Sequence, residues 1–295
     1  MPLFNFQFSI FNLKIPIFFI IFALCSPASK AQSVAADSAA AVNCQLSTSV
    51  AQGATEHRWL FGCGAENLLD TYLSPYEYRG VSHGALHRSE RPAHWGGGRV
   101  QTLMQMCSNF SFAHSPTEDG KEIYVQLTLG GGFGYTWTLR PHLRLLAGGL
   151  LEASGGFTYN TRNGNNPAQG RLAIGLTPTA ALDYAFTLKR RRLNWRTQVD
   201  LPLVGAMFSP NYGQSYYEIF SLGHYDHNIR LTTPFNCPSL RLLTTLDVPL
   251  RRVTLSLGYH ADVRQADVNS LKWHAWSHQL VVGFVRRVKK LKIEN

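Results

Sequence analysis

Two short groups of side chains in this sequence could carry chemistry, and the first is His87 with Ser89. In an extended strand this spacing places both side chains on one face. A serine hydroxyl activated by a neighbouring imidazole is the nucleophile of many acyl-transfer enzymes, so the pair is compatible with a lipid hydrolase. The sequence identifies no carboxylate or amide that would orient the imidazole. A His-x-Ser pair also arises by chance, and ordinary strand residues are the simpler interpretation.

The second group is the segment His224-Tyr-Asp-His227. Imidazole and carboxylate side chains this close together could bind zinc or form the acid/base pair of a surface protease. A structural zinc site, however, normally takes four protein ligands. A hydrogen-bonded loop is the simpler interpretation, and we predict no metal and no cofactor. The protein is therefore interpreted as non-enzymatic by default, with a lipid hydrolase or surface protease as the alternative.

The N-terminus has the composition of a secretory signal. Lys14 precedes an apolar run over residues 15–25, which is too short to span a bilayer as a helix. Ser29 and Ala31 place small residues where a signal peptidase cleaves. We therefore expect residues 1–31 to be a signal peptide.

The rest of the chain divides into two parts. Residues 32–55, rich in Ala, Ser, Thr and Gln, predict a flexible periplasmic lead-in, and residues 56–295 form the folded part. An alternative start, lipidation of Cys25, is disfavoured by the bulky residue before it. An exported chain can form disulfides. Three full pairings are open, and unpaired thiols are the simpler interpretation, for Cys44, Cys63, Cys107 and Cys237.

The elements that would position these groups are long strands. From Ile123 to Leu139, apolar and polar residues alternate over about 17 positions, whereas a globular strand usually has about five or six. The closing run, Trp276 to Val288, alternates in the same way. Such strands are either half-buried in a soluble β-sandwich or face lipid in a membrane barrel.

The polar faces favour the barrel. They hold Thr, Ser, Gln and Gly with scattered charges of both signs, which suit a confined lumen better than a free surface. Tryptophans near strand ends would form an aromatic girdle. We therefore predict an all-β, transmembrane outer-membrane β-barrel, antiparallel and up-and-down, whose luminal charges include Arg144, Glu152, Asp183, Arg196, Asp200, Arg241, Asp247, Asp262 and Arg264.

The alternating runs predict ten strands with both termini periplasmic, or twelve if the long segment 204–238 hides a hairpin. A lumen of this size, crowded by arginines and carboxylates, should be plugged, so a narrow solute channel is only a further alternative. The short connections, near 91–98, 140–142, 189–192 and 249–252, predict periplasmic turns. The longer ones, near 64–77, 113–122, 159–169, 204–238 and 266–272, predict external loops.

Charge is distributed unevenly between these two sets of connections. The full chain has a formal net charge of +10, and basic clusters fall at the predicted periplasmic end. In an exported protein such clusters favour anionic head groups or another envelope component over nucleic acid. A plain solvated rim is the simplest interpretation. The predicted external loops would form an acidic rim that includes Glu66, Asp70, Glu77, Glu118, Asp119, Glu122, Glu218, Asp226 and Asp267.

Three segments carry a resemblance to a known family: Tyr159–Ala168, Met207–Asn228 and Trp276–Phe284. With the chain from Phe61 onward, they resemble uncharacterised outer-membrane β-barrel proteins of Bacteroidota, a domain of unknown function of about this length. The resemblance implies an outer-membrane location and a barrel. It implies no reaction, ligand or catalytic residue.

Loops on rigid scaffolds are where binding residues concentrate, so two predicted external loops supply the binding candidates. These are Asn160, Arg162, Asn163, Asn165, Asn166, Tyr212, Gln214, Tyr216, Tyr217, Glu218, His224, Asp226 and His227. The expected partners are outer-membrane lipids and lipopolysaccharide, the barrel-assembly machinery, which would read the terminal aromatic Phe284, and a further envelope protein. The predicted role is binding or envelope assembly.

Overall fold

The computed structural model describes residues 54–117, 119–251 and 253–289. The predicted signal peptide and nearly all of the lead-in lie outside these ranges. No helix within them is long and apolar enough to cross a bilayer. The elements are β1 Ala54–Asp70, β2 Ser74–Pro92, β3 Val100–His114, β4 Lys121–Arg140, β5 Leu143–Asn160, β6 Ala168–Leu188, β7 Arg191–Asp200, β8 Val204–Phe208, α1 Tyr216–Phe220, β9 Ile229–Thr232, β10 Leu240–Pro249, β11 Thr254–Val268 and β12 Leu271–Lys289.

Ten of the strands close into an antiparallel barrel. Strands β1 to β7 pair in chain order, β7 pairs with β10, and β10 to β12 lead back to β1. The closing seam runs from Ala54 opposite Lys289 to Asp70 opposite Trp273. Closure pairs the backbone groups that a sheet edge would expose. The predicted ten-stranded, up-and-down outer-membrane barrel fold is confirmed, as is the pairing of the last strand with the first.

The segment 204–238 does contain a hairpin, but this hairpin adds no strand to the closed ring. Strand β8 pairs with the half of β6 that is farther from the chain ends, and we call that end of the barrel the outer end. Strand β9 pairs with β8. Pro202 separates β7 from β8 because proline has no N–H to donate. The N–H groups on either side, at Leu201 and Leu203, still reach carbonyls of the β6 strand at 2.9 Å. Strands β7 and β8 therefore act as one interrupted partner of β6.

The barrel wall has a break beside this hairpin. Strand β10 pairs with β7 only as far as Arg241 opposite Asp200, and β9 is the terminal strand of the described sheet. The segment 233–239 crosses the break, and the carbonyl of Asn236 accepts from the Asp267 N–H at 2.7 Å. The outer half of the barrel is therefore closed by a loop contact where a ladder would otherwise run.

The two faces of the barrel wall have opposite polarity. On β4, Leu127 and Leu129 are 43% and 50% exposed on the outside, whereas Gln126 and Thr128 are 6% and 3% exposed on the inside. On β12, Leu280 is 76% exposed. Apolar side chains outside and polar ones inside invert the pattern of a soluble protein and match a wall that faces lipid. The strands form a single closed sheet, so the soluble β-sandwich, which needs two packed sheets, is excluded.

Two of the predicted external loops are wrong. Strands β1 and β2 are joined by residues 71–73, and β11 and β12 by Asn269 and Ser270 alone. By contrast, the turn over residues 93–99 at the other end is longer than either. Long and short connections therefore do not alternate strictly. Polar residues near 64–77 resemble loop residues in sequence because a polar lumen accepts them within strands.

The predicted acidic outer rim is wrong for three of its members. Glu66, Asp70 and Glu122 are at most 3% exposed and point into the barrel. Glu118 lies outside the described residues. Strands that continue farther than the alternation suggested carry these carboxylates into the lumen.

Candidate functional site

Arginine–carboxylate contacts cross the lumen in its inner half. Arg196 on β7 donates to both oxygens of Asp183 on β6 at 3.1 and 3.2 Å and contacts Glu90 on β2. Arg144 on β5 donates to Asp183 at 2.8 Å and to Glu90 at 3.4 Å. Arg88 adds a contact to Glu90 at 3.2 Å. These ion pairs join side chains that alternation directs inward from four strands.

The network continues around the wall. Arg58 on β1 donates two hydrogen bonds to Asp247 on β10, at 2.7 and 2.8 Å. Arg241 on β10 donates to Glu152 on β5 at 2.5 Å and lies 3.3 Å from Asp200. Contacts between strands on different sides of the ring fill its cross-section. The same side chains compensate one another's charge, as buried ions require.

A further cluster closes the outer end of the lumen. Arg171 on β6 contacts Asp70 on β1 and donates to Gln169 and Thr158 at 2.9 and 3.0 Å. Its guanidinium lies 4.4 Å from the centre of the Trp273 ring, a cation–π arrangement. The planar cation is therefore held on three sides.

A cavity of about 130 Å³ lies between this cluster and the break in the wall. Arg241 and Arg264 contribute polar surface, and Met207 and Ala266 contribute apolar surface. Cys237, from the segment that crosses the break, also lines it. The luminal network therefore leaves some free volume on this side of the barrel.

The long external connection folds into a small unit over residues 209–228, which we call the outer-end subdomain. Helix α1 begins with a capping box: the Ser215 hydroxyl accepts from the Glu218 N–H at 3.2 Å, and the Glu218 carboxylate accepts from the Ser215 N–H at 2.7 Å. The Ser215 backbone N–H and hydroxyl both donate to the Glu218 carboxylate and lower its pKa. The box satisfies helix N–H groups that would otherwise lack partners.

Two tyrosine side chains attach the outer-end subdomain to the barrel. The Tyr216 hydroxyl accepts from the Gly170 N–H at 2.6 Å and donates to the Gly170 carbonyl at 3.2 Å. The Tyr72 hydroxyl donates to the Gln214 carbonyl at 2.9 Å. Burial is the main cause of the raised pKa of both phenols, and it brings that of Tyr72 to about 12. The phenols therefore stay protonated and able to donate.

The predicted binding residues separate into two groups. Some support the loops: Gln214 accepts from Asn228 at 2.7 Å and donates to the His224 carbonyl at 2.8 Å, and Asn160 is buried and donates to Tyr78 and Glu122 at 3.0 Å. The supporting group comprises Asn160, Asn163, Gln214, Tyr216 and Glu218.

The remaining candidates have solvent-facing side chains or local contacts. Tyr212 and Tyr217 are 73% and 65% exposed. Arg162 pairs with Asp119 at 2.7 Å, with both side chains about half exposed. Asp226 contacts His227, and both are well exposed. The backbones of Asn165 and Asn166 donate to the Asn163 side chain.

Sequence reasoning missed part of this surface. Tyr225 and Phe235 are 65% and 93% exposed in the same connection. Both are aromatic residues in a stretch without sustained alternation. An aromatic side chain there has no strand face to bury it, and this pattern could have indicated its exposure.

His87 and Ser89 share one face of β2, as their spacing predicts, but that face is the outer one, near the barrel end that carries the termini. The His87 ring stacks on Trp59 with centroids 3.9 Å apart, and its Nε2 lies 3.4 Å from Nδ1 of His57. Ser89 is opposite His57 in the ladder. No side-chain hydrogen bond between His87 and Ser89 is present in the described chain, so the geometry gives a catalytic pair no support.

Neither metal ligation nor disulfide formation is seen where the structure describes the chain. No group of three or more His, Cys, Asp or Glu side chains there could hold a metal ion. Cys63, Cys107 and Cys237 are free thiols. Cys44 lies outside the described ranges.

A closed barrel with an apolar exterior and a charged interior defines a β-barrel of the outer-membrane class. The chain belongs to the family described as "Protein of unknown function (DUF3316)", whose model matches residues 17–295. This confirms the resemblance to a family of unknown function. The bacterial phylum stays a prediction.

Solved structures with a similar fold include three bacterial surface proteins. Neisserial surface protein A is 11% identical over 81% of this chain and 97% of its own, with a TM-score of 0.35. The translocator domain of the autotransporter NalP from Neisseria meningitidis is 11% identical over 84% and 93%, with a TM-score of 0.39. Ail of Yersinia pestis, in complex with the heparin analogue sucrose octasulfate, is 9% identical over 79% and 99%, with a TM-score of 0.32. The curated proteins contain no significant match.

Proposed function

We propose that this protein is an outer-membrane β-barrel that is closed to solutes and binds a component of the cell envelope through its outer-end subdomain. The observation that carries the proposal is the combination of a lumen crossed by ion pairs with an external loop that is folded and fixed to the wall. The apolar exterior and the signal-like N-terminus support the location.

The orientation follows from the chain ends. Ala54 and Lys289 lie at the same end of the barrel as the turns at 93–99, 141–142 and 189–190. Outer-membrane barrels place their termini and tight turns in the periplasm. The outer-end subdomain then faces the cell exterior, and the segment 233–239 lies beside it.

The outer-end subdomain combines a backbone fixed by hydrogen bonds with exposed aromatic side chains. Gln214 and Tyr216 fix the backbone of the outer-end subdomain through hydrogen bonds. Above them, Tyr212, Tyr217 and Tyr225 expose about two-thirds or more of their surface. Aromatic side chains on a rigid support lose little conformational entropy on binding and are enriched at interfaces. The binding partner is therefore expected at this surface.

A test of the closed lumen uses purified protein in planar bilayers. We expect no stepwise current, because arginine and carboxylate side chains such as Arg196 and Asp183 occupy the cross-section. Heat-modifiable mobility in gels must first establish that the barrel is folded and inserted. A stable conductance of nanosiemens size from folded protein would contradict the proposal and favour the channel alternative.

A test of binding uses a photo-crosslinking amino acid at Tyr217 in intact envelopes. A discrete adduct that is absent from a crosslinker at Tyr76, an exposed tyrosine of β2, is the expected result. Treatment of the adduct with protease or mass analysis of its sugar and lipid content separates an envelope protein from lipopolysaccharide. Equal labelling from both positions would contradict a specific surface.

The enzyme alternative has less support. A lipid hydrolase would have to use His87 and Ser89 from the outer wall, where His87 is stacked on Trp59. Replacing both residues with alanine should leave phospholipid turnover in envelopes unchanged. A loss of turnover in a folded double variant would revive this alternative.

A further inference from the structure

Two hairpin turns meet at the end of the barrel that carries the chain termini. One joins β6 to β7, and the other joins β10 to β11; they are neighbours because β7 pairs with β10, with Asn194 opposite Asp247 near this end. Between them lies a groove of about 410 Å³. Four of its six lining residues are arginines and none is acidic: Arg190, Arg191, Arg192, Pro249, Leu250 and Arg251. We call it the arginine groove.

The turn between β6 and β7 has a strained backbone. Lys189 and Arg190 form a two-residue hairpin loop with φ of 46° and 67°, the positive values of a type I′ turn, where Asn and Gly are preferred. The two-residue turn at the opposite end of the barrel uses Asn269 and Ser270 at 55° and 62°. A side chain with a Cβ costs free energy in this conformation. The backbone conformation of the turn therefore does not explain why Lys189 and Arg190 occupy it.

The charges of the arginine groove differ from those of the lumen. Luminal arginines such as Arg58 and Arg241 each contact a carboxylate. No described carboxylate lies within ion-pair distance of Arg190, Arg191 or Arg251. These three guanidinium groups have no carboxylate counterion among the described residues, so the groove is suited to an anionic ligand.

The position of the groove identifies the kind of anion. Leu188 and Trp195 are exposed on the outer wall just above it, and Leu250 and Val253 are exposed at its edge. A tryptophan at this level is typical of a membrane interface. A ligand there meets cations on one side and an apolar wall on the other.

We infer that the arginine groove binds the phosphate head group of an anionic phospholipid in the inner leaflet of the outer membrane. Guanidinium groups donate paired hydrogen bonds to phosphate oxygens, and basic clusters at a membrane surface attract anionic lipids. The acyl chains would lie against the exposed leucines of the wall. The inference rests on the membrane orientation given under the proposed function.

The experiment measures lipid retention by the full mature chain, folded in nanodiscs of phosphatidylethanolamine with a minor fraction of phosphatidylglycerol. Native mass spectrometry then counts the lipids that stay bound. The unaltered protein should retain phosphatidylglycerol in preference, and Arg190→Gln with Arg251→Gln should reduce that preference at least tenfold. The control, Arg91→Gln with Arg140→Gln, removes two charges from the ends of β2 and β4 on the same rim and should leave the preference unchanged.

A second variant separates lipid binding from folding. Lys189→Asn with Arg190→Gly gives the turn its preferred residues, so the unfolding temperature should rise while the phosphatidylglycerol preference falls. Soluble glycerol phosphate should not displace the lipid, since it lacks the chains that contact the wall.

Three results would overturn the inference: equal loss in the Arg91 and Arg140 control, full retention in the groove variants, or displacement by glycerol phosphate. Failure of the unaltered protein to give heat-modifiable, inserted barrel would instead contradict the proposed membrane location. The two failures are therefore distinguishable.

Discussion

Arg196 is the residue whose loss should most clearly expose the contribution of the luminal network to stability. Its side chain is 1% exposed and pairs with both Asp183 and Glu90. In the variant Arg196→Met, those two carboxylates keep Arg144 but lose their second shared cation. Breaking a buried ion pair from one side costs about 3–5 kcal/mol, because the remaining charge stays desolvated without compensation. Because Arg144 still pairs with both carboxylates, we expect the free energy of unfolding to fall by an amount near the lower end of that range.

The measurement is reversible urea unfolding from lipid vesicles, followed by tryptophan fluorescence and by heat-modifiable gel mobility. The matched control is Arg162→Met, which removes the same group from a pair with Asp119 whose side chains are about half exposed. Exposed pairs contribute about 0–1 kcal/mol. A further variant, Arg196→Met with Asp183→Asn, removes one stranded charge and should recover part of the loss.

We compare the loss in free energy of unfolding between the Arg196 and Arg162 variants. A difference of less than about 1 kcal/mol would refute a buried ion pair, since a cost near the value for exposed pairs means a hydrated lumen. In that case the ion pairs would be surface-like contacts around an open, water-filled channel. The planar-bilayer current of the same Arg196 variant then decides whether the lumen conducts.

Three other predictions follow from the wall and the outer-end subdomain. Phe284→Asp, which places a charge on the lipid face, should abolish assembly of heat-modifiable barrel, whereas Phe235→Asp in the exposed connection should not. Tyr216→Phe removes both hydrogen bonds to the wall and should speed proteolysis of the outer-end subdomain several-fold, with Tyr217→Phe as the unaffected control. The lowered pKa of Glu218 means that the folded loop favours the ionised carboxylate. Its contribution is full above the ordinary carboxyl range and lost as pH falls through the lowered pKa, so proteolysis should accelerate only in acid.

Much of the barrel follows from local pattern. The alternation from Ile123 to Leu139 gives the correct inside and outside of β4, because successive side chains of any strand point to opposite faces. The same rule orients the closing strand and places Phe284 on the exterior. The number of strands follows only in part: the alternating runs predict ten, whereas the segment 204–238 leaves twelve open.

Local pattern fails where polar residues continue a strand. The sequence pattern places Glu66 and Glu122 in external loops because the polar residues around them resemble loop residues. In this barrel the interior is the polar side, so a carboxylate there extends β1 or β4. The hairpin of β8 and β9 escapes local pattern for a different reason: its strands have five and four residues, too few for alternation to be distinguished from chance.

The sequence by itself determined which residues of the alternating runs face outward, since period-two alternation acts between adjacent residues, and it reduced the ring to ten or twelve strands. Only the tertiary structure decided how the lumen is filled. Arg241 and Glu152 are separated by 89 residues and Arg196 and Glu90 by 106, and the register of the closed sheet brings them together. That register depends on every ladder around the barrel, and no single segment of the sequence encodes it.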